Sequence, residues 1–349
     1  MPEQKPVWAE KETRFDWRGA LPWILGVLAV GSLAYALHSC LRQERTNVLP
    51  SDAQLNILLP QLADPVAATR ENAIRLLGEL DNPKAVPKVQ ERLADPQEAP
   101  EVIAAACIAL ARLKDDKSRP TVREKLGDAS PAVVAGACAA LAVYGDRESL
   151  AAIRAKLDDE APEAVIAACA ALAALGDRES LLAIRKKLDD ESNEIYQAAL
   201  DALVKLADQD AILAIRQKLD AEKPEVVVAA CKALAGLDDI GSATLLVKLL
   251  AHREHAVVSA ALYALAKLRP KEALPAMTEL LKSPDLAVRL AAVAALGDLG
   301  DPAAIPILEA LRPAPVEDLD PPAKSDDADR VREAIQHAVV KLTPKPPAN

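Results

Sequence analysis

The stretch AVIAACAALAALGD, Ala164 to Asp177, decides the fold. Thirteen residues pass before its first charge. Alone, such a run suits a buried strand or a helix covered on all sides. It is too short to span a membrane, which takes about 20 apolar residues. Recurrence chooses between the remaining readings. Cys169, Leu172 and Leu175 have equivalents at Cys138, Leu141, Tyr144 and at Cys107, Leu110, Leu113. Downstream the triplet returns as Leu200, Leu203, Leu206, as Cys231, Leu234, Leu237, as Leu262, Leu265, Leu268 and as Val293, Leu296, Leu299. Each of these steps is 31 residues. Ile74, Leu77, Leu80 fits one step of 33 residues upstream, and Gln336, Val339, Leu342 one step of 43 residues downstream. Nine units therefore lie between Asp52 and Leu342.

Each unit holds two helical patterns. In the fourth, RESLAAIRAKLDD (Arg147 to Asp159) places Leu150, Ile153 and Leu157 at helical spacing. Asp146 is its N-cap candidate, and Gly145 can end the helix before it. Pro162 opens the second helix at a tolerated first-turn position, and Pro131 and Pro224 share its register. The unit is helix A, turn, helix B, turn. AVIAACAALAALGD is a helix B, covered by its neighbours in the stack.

DLAVRLAAVAALGDLGDPAAIPILEAL, Asp285 to Leu311, resembles a HEAT repeat of the short, phycobilisome-lyase type. The matching marks are Val288-Arg289, Ala291-Ala292, Leu296-Gly297, Gly300-Asp301-Pro302 and Ile305-Pro306. A helix-A proline recurs as Pro87, Pro120, Pro275 and Pro306, and is replaced at Ala151, Leu182, Leu213 and Thr244. The resemblance implies an all-α fold, an alpha-alpha superhelix of about nine helix pairs with helix B on the concave side. It says little about activity, because such repeats serve unrelated tasks.

Composition agrees with close-packed helices. Aromatic residues make up 2% of the chain, so Ala, Leu and Val must fill the core. The net charge is −10, which argues against a nucleic-acid partner.

The N-terminus is different material. Gly19 to Leu41 is a run of 23 residues without a formal charge, and at about 1.5 Å per residue a helix of that length would cross a bilayer. Trp17, Trp23 and Tyr35 stand near its ends, as interfacial aromatics do. The expected organisation is a polar tail (1–18), a transmembrane helix (19–41), a linker (42–51), a repeat solenoid (52–342) and a C-terminal tail (343–349). The solenoid carries an acidic, proline-rich insertion at 312–329. Lys5, Lys11, Arg14 and Arg18 precede the span and Arg42 and Arg45 follow it. This charge balance implies a single-pass protein of a bacterial-type inner membrane, N-terminus cytoplasmic and solenoid periplasmic. An alternative is a lipoprotein anchored at Cys40, from the lipobox-like Leu37-His38-Ser39-Cys40.

Positions one repeat apart form columns. Two before the cysteine column stand small residues such as Ala105, Gly136 and Ala167, which let helices approach closely. One and five positions after it lie the columns expected to face outward from helix B. There Ala139, Val143, Ala170 and Ala174, with Ile108 adjoining, form an apolar floor, and Arg112, Lys205, Lys232 and Tyr263 rim it. These nine residues are the candidate partner-binding set. Tight superhelical curvature, which would bury them, is the competing reading. On helix A the row Arg123, Arg154, Arg185, Arg216, flanked by Lys125, Lys156, Lys187 and Lys218, could make a basic ridge, but Asp128, Asp159, Asp190 and Asp220 lie close by and a neutralised ladder is expected.

Catalytic chemistry finds no foothold. Cys107, Cys138, Cys169 and Cys231 share one buried column, too widely spaced for disulfides. No CxxC supports zinc. The HREH segment, His252 to His255, lacks a further ligand, and no His precedes a Glu as in the iron-binding pairs of HEAT-like deoxyhypusine hydroxylase. No catalytic residue, metal or cofactor is assigned. The expected function is a membrane-anchored, non-catalytic scaffold that binds a protein partner on the helix-B face. Alternatives are a structural subunit of a membrane complex and a bilin-lyase-like, chromophore-handling protein.

Overall fold

The computed structural model describes residues 51–270, 272–311 and 325–343. The chain divides into two compact units, Met1–Ile57 and Leu58–Asn349. Of the first, only Ser51–Ile57 is described, the start of helix α1 (Ser51–Gln61).

The described residues build nine successive helix pairs. The odd-numbered helices are the A helices: α1, α3 (Val86–Ala94), α5 (Arg119–Glu124), α7 (Leu150–Ala155), α9 (Leu181–Lys186), α11 (Ile212–Gln217), α13 (Ala243–Leu249), α15 (Ala273–Glu279) and α17 (Ala304–Ala310). The even-numbered ones are the B helices: α2 (Ala67–Glu79), α4 (Pro100–Arg112), α6 (Pro131–Tyr144), α8 (Pro162–Leu175), α10 (Asn193–Lys205), α12 (Pro224–Gly236), α14 (His255–Leu268), α16 (Leu286–Leu299) and α18 (Ser325–Leu342). The middle A helices are a short α segment between 3₁₀ turns, as in Arg147–Ser149 and Lys156–Asp158 around α7.

Local sequence explains the boundaries. Pro100, Pro131, Pro162 and Pro224 each occupy the first turn of a B helix, where a missing N–H costs nothing. Gly145, Gly176 and Gly300 end B helices in the left-handed conformation. At α8 the Gly176 N–H donates to the Ala173 carbonyl at 3.3 Å and the Asp177 N–H to the Leu172 carbonyl at 2.9 Å, which closes the helix end. The equivalent positions in other repeats hold Asp81, Lys114, Ala207, Asp238 and Arg269, all at positive φ. The turn geometry is thus kept even where its favoured residue is absent.

Each B helix packs on the B helices of adjoining repeats, and from α4 onward each packs on its own A helix. In α8, Ala164, Val165, Ala168, Cys169, Ala171, Leu172, Ala173 and Leu175 are buried, while Ala170 and Ala174 are exposed. The A helices contribute Ile153, Leu157, Ile184 and Ile215 to the same core. Small side chains set the spacing: a Cβ added at Gly136 would lie 2.6 Å from the Ala104 Cα.

Placement in an inner membrane is corrected by the structure. No helix among the described residues is long and apolar enough to cross a membrane. The most apolar, α6 and α8, have 14 residues each, about 21 Å at 1.5 Å per residue, against a hydrocarbon core of about 30 Å. The longest, α18, has 18 residues but carries seven Asp, Glu, Arg and Lys residues. Gly19–Leu41, on which the expectation of a span rested, and Cys40 with its lipoprotein alternative lie outside the described residues. One boundary also moves. Ser325–Asp329, assigned by sequence to the acidic insertion, belong to the first turns of α18.

Candidate functional site

The arginine row on the A helices is consumed by ion pairs between repeats. Arg123, Arg154, Arg185 and Arg216 each reach the aspartate 23 residues on, which begins the next repeat. Their Nε atoms donate to Asp146, Asp177, Asp208 and Asp239 at 2.8, 2.7, 2.6 and 2.9 Å, with a second contact from Nη2 in each case. Glu148, Glu179 and Asp210 add a further carboxylate to the first three. The row is neutralised, and the arginines take their aspartates from the following repeat. Asp128 and Asp159 pair instead with Lys125 and Lys156, three residues before them. Asp146 holds the N-cap backbone position but turns its carboxylate to Arg123 and the Ser149 hydroxyl. The Arg123 hydrogen bond holds the Asp146 carboxyl below the usual range, and Arg154 does the same for Asp177. The row is neutral inter-repeat glue, not a basic docking ridge.

The candidate contact residues lie on the B helices, while the A helices expose Leu182 and Leu213, at 66% and 70%. Arg112, Val143, Ala170, Ala174, Lys205, Lys232 and Tyr263 are exposed, and Ile108 and Ala139 are half-buried. Val143 is 53% and Tyr263 54% exposed, high for side chains of that size. The nine do not converge on one pocket. Ile108, Ala139, Val143, Ala170 and Ala174 follow one another across α4, α6 and α8, which pack in sequence. Arg112 stands at the edge of this strip, with Nη1 3.4 Å from Glu79 Oε1.

Two grooves lie between B helices farther along. One of about 260 Å³, between α10 and α12, is lined by Asp201, Val204, Val228 and Lys232. The other, about 560 Å³ between α14 and α16, is lined by Tyr263, Ala266, Lys267, Arg269, Ala294 and Asp298. Sequence reasoning selected Lys232 and Tyr263 but left out Lys267, Arg269 and Asp298. Lys267 and Asp298 were visible in the outward column. Arg269 was concealed because it fills the left-handed position that usually takes glycine.

The remaining polar groups serve the fold. Burial pushes the thiols of Cys107, Cys138 and Cys231 up to about 12 and that of Cys169 to about 11, so they behave as small apolar fillers. His252 Nδ1 accepts the Glu254 N–H at 3.0 Å in the turn before α14, and His255 Nδ1 lies 3.2 Å from Asp285 of the next repeat. No cluster of three metal-ligating side chains occurs among the described residues.

Stacked helix pairs sharing one core, with side chains presented along the B helices, define an α-solenoid. The chain belongs to the HEAT-repeat family: the family model matches residues 55–134, 120–203, 181–266 and 256–340. No curated protein matches it. Among solved structures it is similar to Kap95p in its complex with RanGDP, at 13% identity over 84% of this chain and 44% of that one, TM-score 0.53. It is also similar to an engineered protein, at 21% identity over 82% of this chain and 88% of that one, TM-score 0.43. A third is the CpcE–CpcF phycocyanin lyase complex from Nostoc sp., at 21% identity over 72% of this chain and 97% of that one, TM-score 0.40. Identities this low speak to the fold alone, and the lyase structure gives no support to bilin chemistry in this chain.

Proposed function

We propose that this protein is a non-catalytic interaction scaffold that binds a partner protein along its B-helix face. The observation that carries the reading is the strip Val143, Ala170 and Ala174. These apolar residues are exposed on neighbouring helices and framed by charged positions at Arg112 and Lys205. Small apolar side chains on a rigid helical floor suit close approach by a partner's backbone or helix, and a charged rim limits non-specific association. The set Ile108, Arg112, Ala139, Val143, Ala170, Ala174, Lys205, Lys232 and Tyr263 is the proposed contact surface. The A-helix side exposes Leu182 and Leu213, but its arginines are already engaged by Asp146, Asp177, Asp208 and Asp239 and offer no free charge beside them.

The test is a photo-crosslinking amino acid at Ala170 in intact cells, with Lys186, exposed on α9, as control. A discrete protein adduct from Ala170 and none from Lys186 is the expected result. No adduct, or equal adducts from both sites, would sink the reading.

A further inference from the structure

Four cations on the B-helix face are left without work by the fold. Lys205, Lys232, Lys267 and Arg269 are exposed along the C-terminal halves of α10 and α12 and at the end of α14. None of them pairs with a carboxylate among the described residues. Elsewhere on this face cations are neutralised. Arg75 and Arg112 share Glu79, and Lys341 Nζ lies 2.9 Å from Asp298 Oδ1. Nor do the helix ends require them, since Val143 and Ala174 hold the positions equivalent to Lys205 and Lys267 on α6 and α8.

In the same stretch the exposed carboxylates include Asp201, which lines the smaller groove with Lys232, and Asp238, which holds after α12 the turn position that Arg269 holds after α14. Glu194 and Glu225 sit at the other ends of α10 and α12, roughly 10–16 Å along the axis from Lys205 and Lys232 at about 1.5 Å per residue. Asp298 borders the larger groove, but Lys341 already takes its charge. An acidic protein of net charge −10 thus carries a local cationic track.

Tyr263 lies within this track. Tyr196 is buried, and Tyr144 is half-buried with its hydroxyl donating to the Asp115 carbonyl at 2.9 Å. Tyr263 alone among the described tyrosines presents its ring to the exterior. It borders the 560 Å³ groove floored by Ala266, Ala291 and Ala294, with Lys267 and Arg269 at the rim. An aromatic ring above an apolar floor, edged by cations, matches an apolar side chain carried in an acidic chain.

We propose that repeats five to eight bind an acidic, extended segment of a partner protein. Its carboxylates meet Lys205, Lys232, Lys267 and Arg269, and one apolar side chain packs on Tyr263. This rests on the scaffold reading and narrows it to a partner chemistry and a place. Two repeat steps of about 9–10 Å separate Lys205 from Lys267, which an extended chain covers with about six residues.

The experiment uses the full chain and fluorescence anisotropy of labelled peptides, about twice that six-residue span in length. One is rich in Asp and Glu around a central Leu, a second replaces the acids by Lys, and a third replaces the Leu by Ser. An oligothymidine is the nucleic-acid control. The expected result is that the acidic Leu peptide binds, that salt weakens it, and that the Lys peptide does not bind. The triple variant K205E/K232E/K267E loses at least about tenfold in affinity, and Tyr263→Ala and the Ser peptide each lose about tenfold. The triple Lys→Arg variant retains binding, which separates charge from misfolding. Equal binding of acidic and basic peptides, indifference to charge reversal, or tighter binding of oligothymidine would overturn the proposal. If Ala170 crosslinks a partner while the acidic peptide ignores these cations, the scaffold reading stands and the acidic segment falls. If Ala170 gives no adduct but lysine-dependent peptide binding persists, this site stands and the apolar strip is discarded.

Discussion

Arg154 of the fourth repeat reaches Asp177 of the fifth through two parallel hydrogen bonds, Nε to Oδ2 at 2.7 Å and Nη2 to Oδ1 at 2.5 Å. The Asp177 side chain is 4% exposed and that of Arg154 30%. The pair pins one repeat to the next at the point where the chain leaves a B helix. Three further pairs repeat the arrangement from Arg123 to Asp239.

Removing the cation leaves a buried carboxylate with a weakened set of partners. Arg154→Ala should destabilise the protein by about 1–3 kcal/mol, with partial solvent access to the arginine keeping the loss below that of a fully buried pair. Lys186→Ala, at an exposed position of α9, should change stability by under about 0.5 kcal/mol. Urea denaturation followed by circular dichroism compares them, and equal losses would remove the ladder's special role.

The same pairs set a pH dependence. Asp146 and Asp177 have carboxyl groups held below their usual range, chiefly by Arg123 and Arg154. Their contribution is complete above the unfolded-state value near 4 and is lost as pH falls through the lower folded-state values. The urea midpoint should drop as pH is lowered below about 4. The Asp146→Asn/Asp177→Asn variant should be less stable at neutral pH and show a shallower acid-side drop. An unchanged slope in that variant would assign acid sensitivity to other groups.

The left-handed turn after each B helix allows a test of opposite signs. Ala207 has φ 51° and Gly176 φ 69° at equivalent positions. Ala207→Gly should stabilise and Gly176→Ala destabilise, each by about 1 kcal/mol, because a Cβ is strained in this conformation. Thermal melts of the two variants should therefore shift in opposite directions. Shifts of the same sign would show that side-chain contacts dominate these turns.

Close packing between B helices gives a steric prediction. An added Cβ at Gly136 meets the Ala104 backbone, whereas one at Gly127 meets nothing within 4 Å. Gly136→Ala should cost about 1–3 kcal/mol through forced separation of α4 and α6. Gly127→Ala should be neutral or stabilising. An unchanged stability in Gly136→Ala would mean that the helices separate without penalty.

The 31-residue recurrence, the prolines that open α6, α8 and α12, and the glycines that close α6 and α8 were all legible in the sequence. Each is a local signal: a helix start, a helix stop or an apolar face is written in neighbouring residues. Those signals by themselves determined a HEAT-type stack with Cys169 in its core and Ala170 on an outward column. Only the tertiary structure decided what depends on the rotation between repeats. It matched Arg154 with Asp177 instead of Asp159, because 23 residues of chain bring the next repeat's turn beside α7, while Asp159 faces Lys156. It placed Arg269 beside Tyr263 although glycine is the expected residue there, because stacking imposes the left-handed turn on whatever side chain occupies it. Periodicity encodes the unit; the contacts between units follow from the angle at which they stack, and no short-range pattern records that angle.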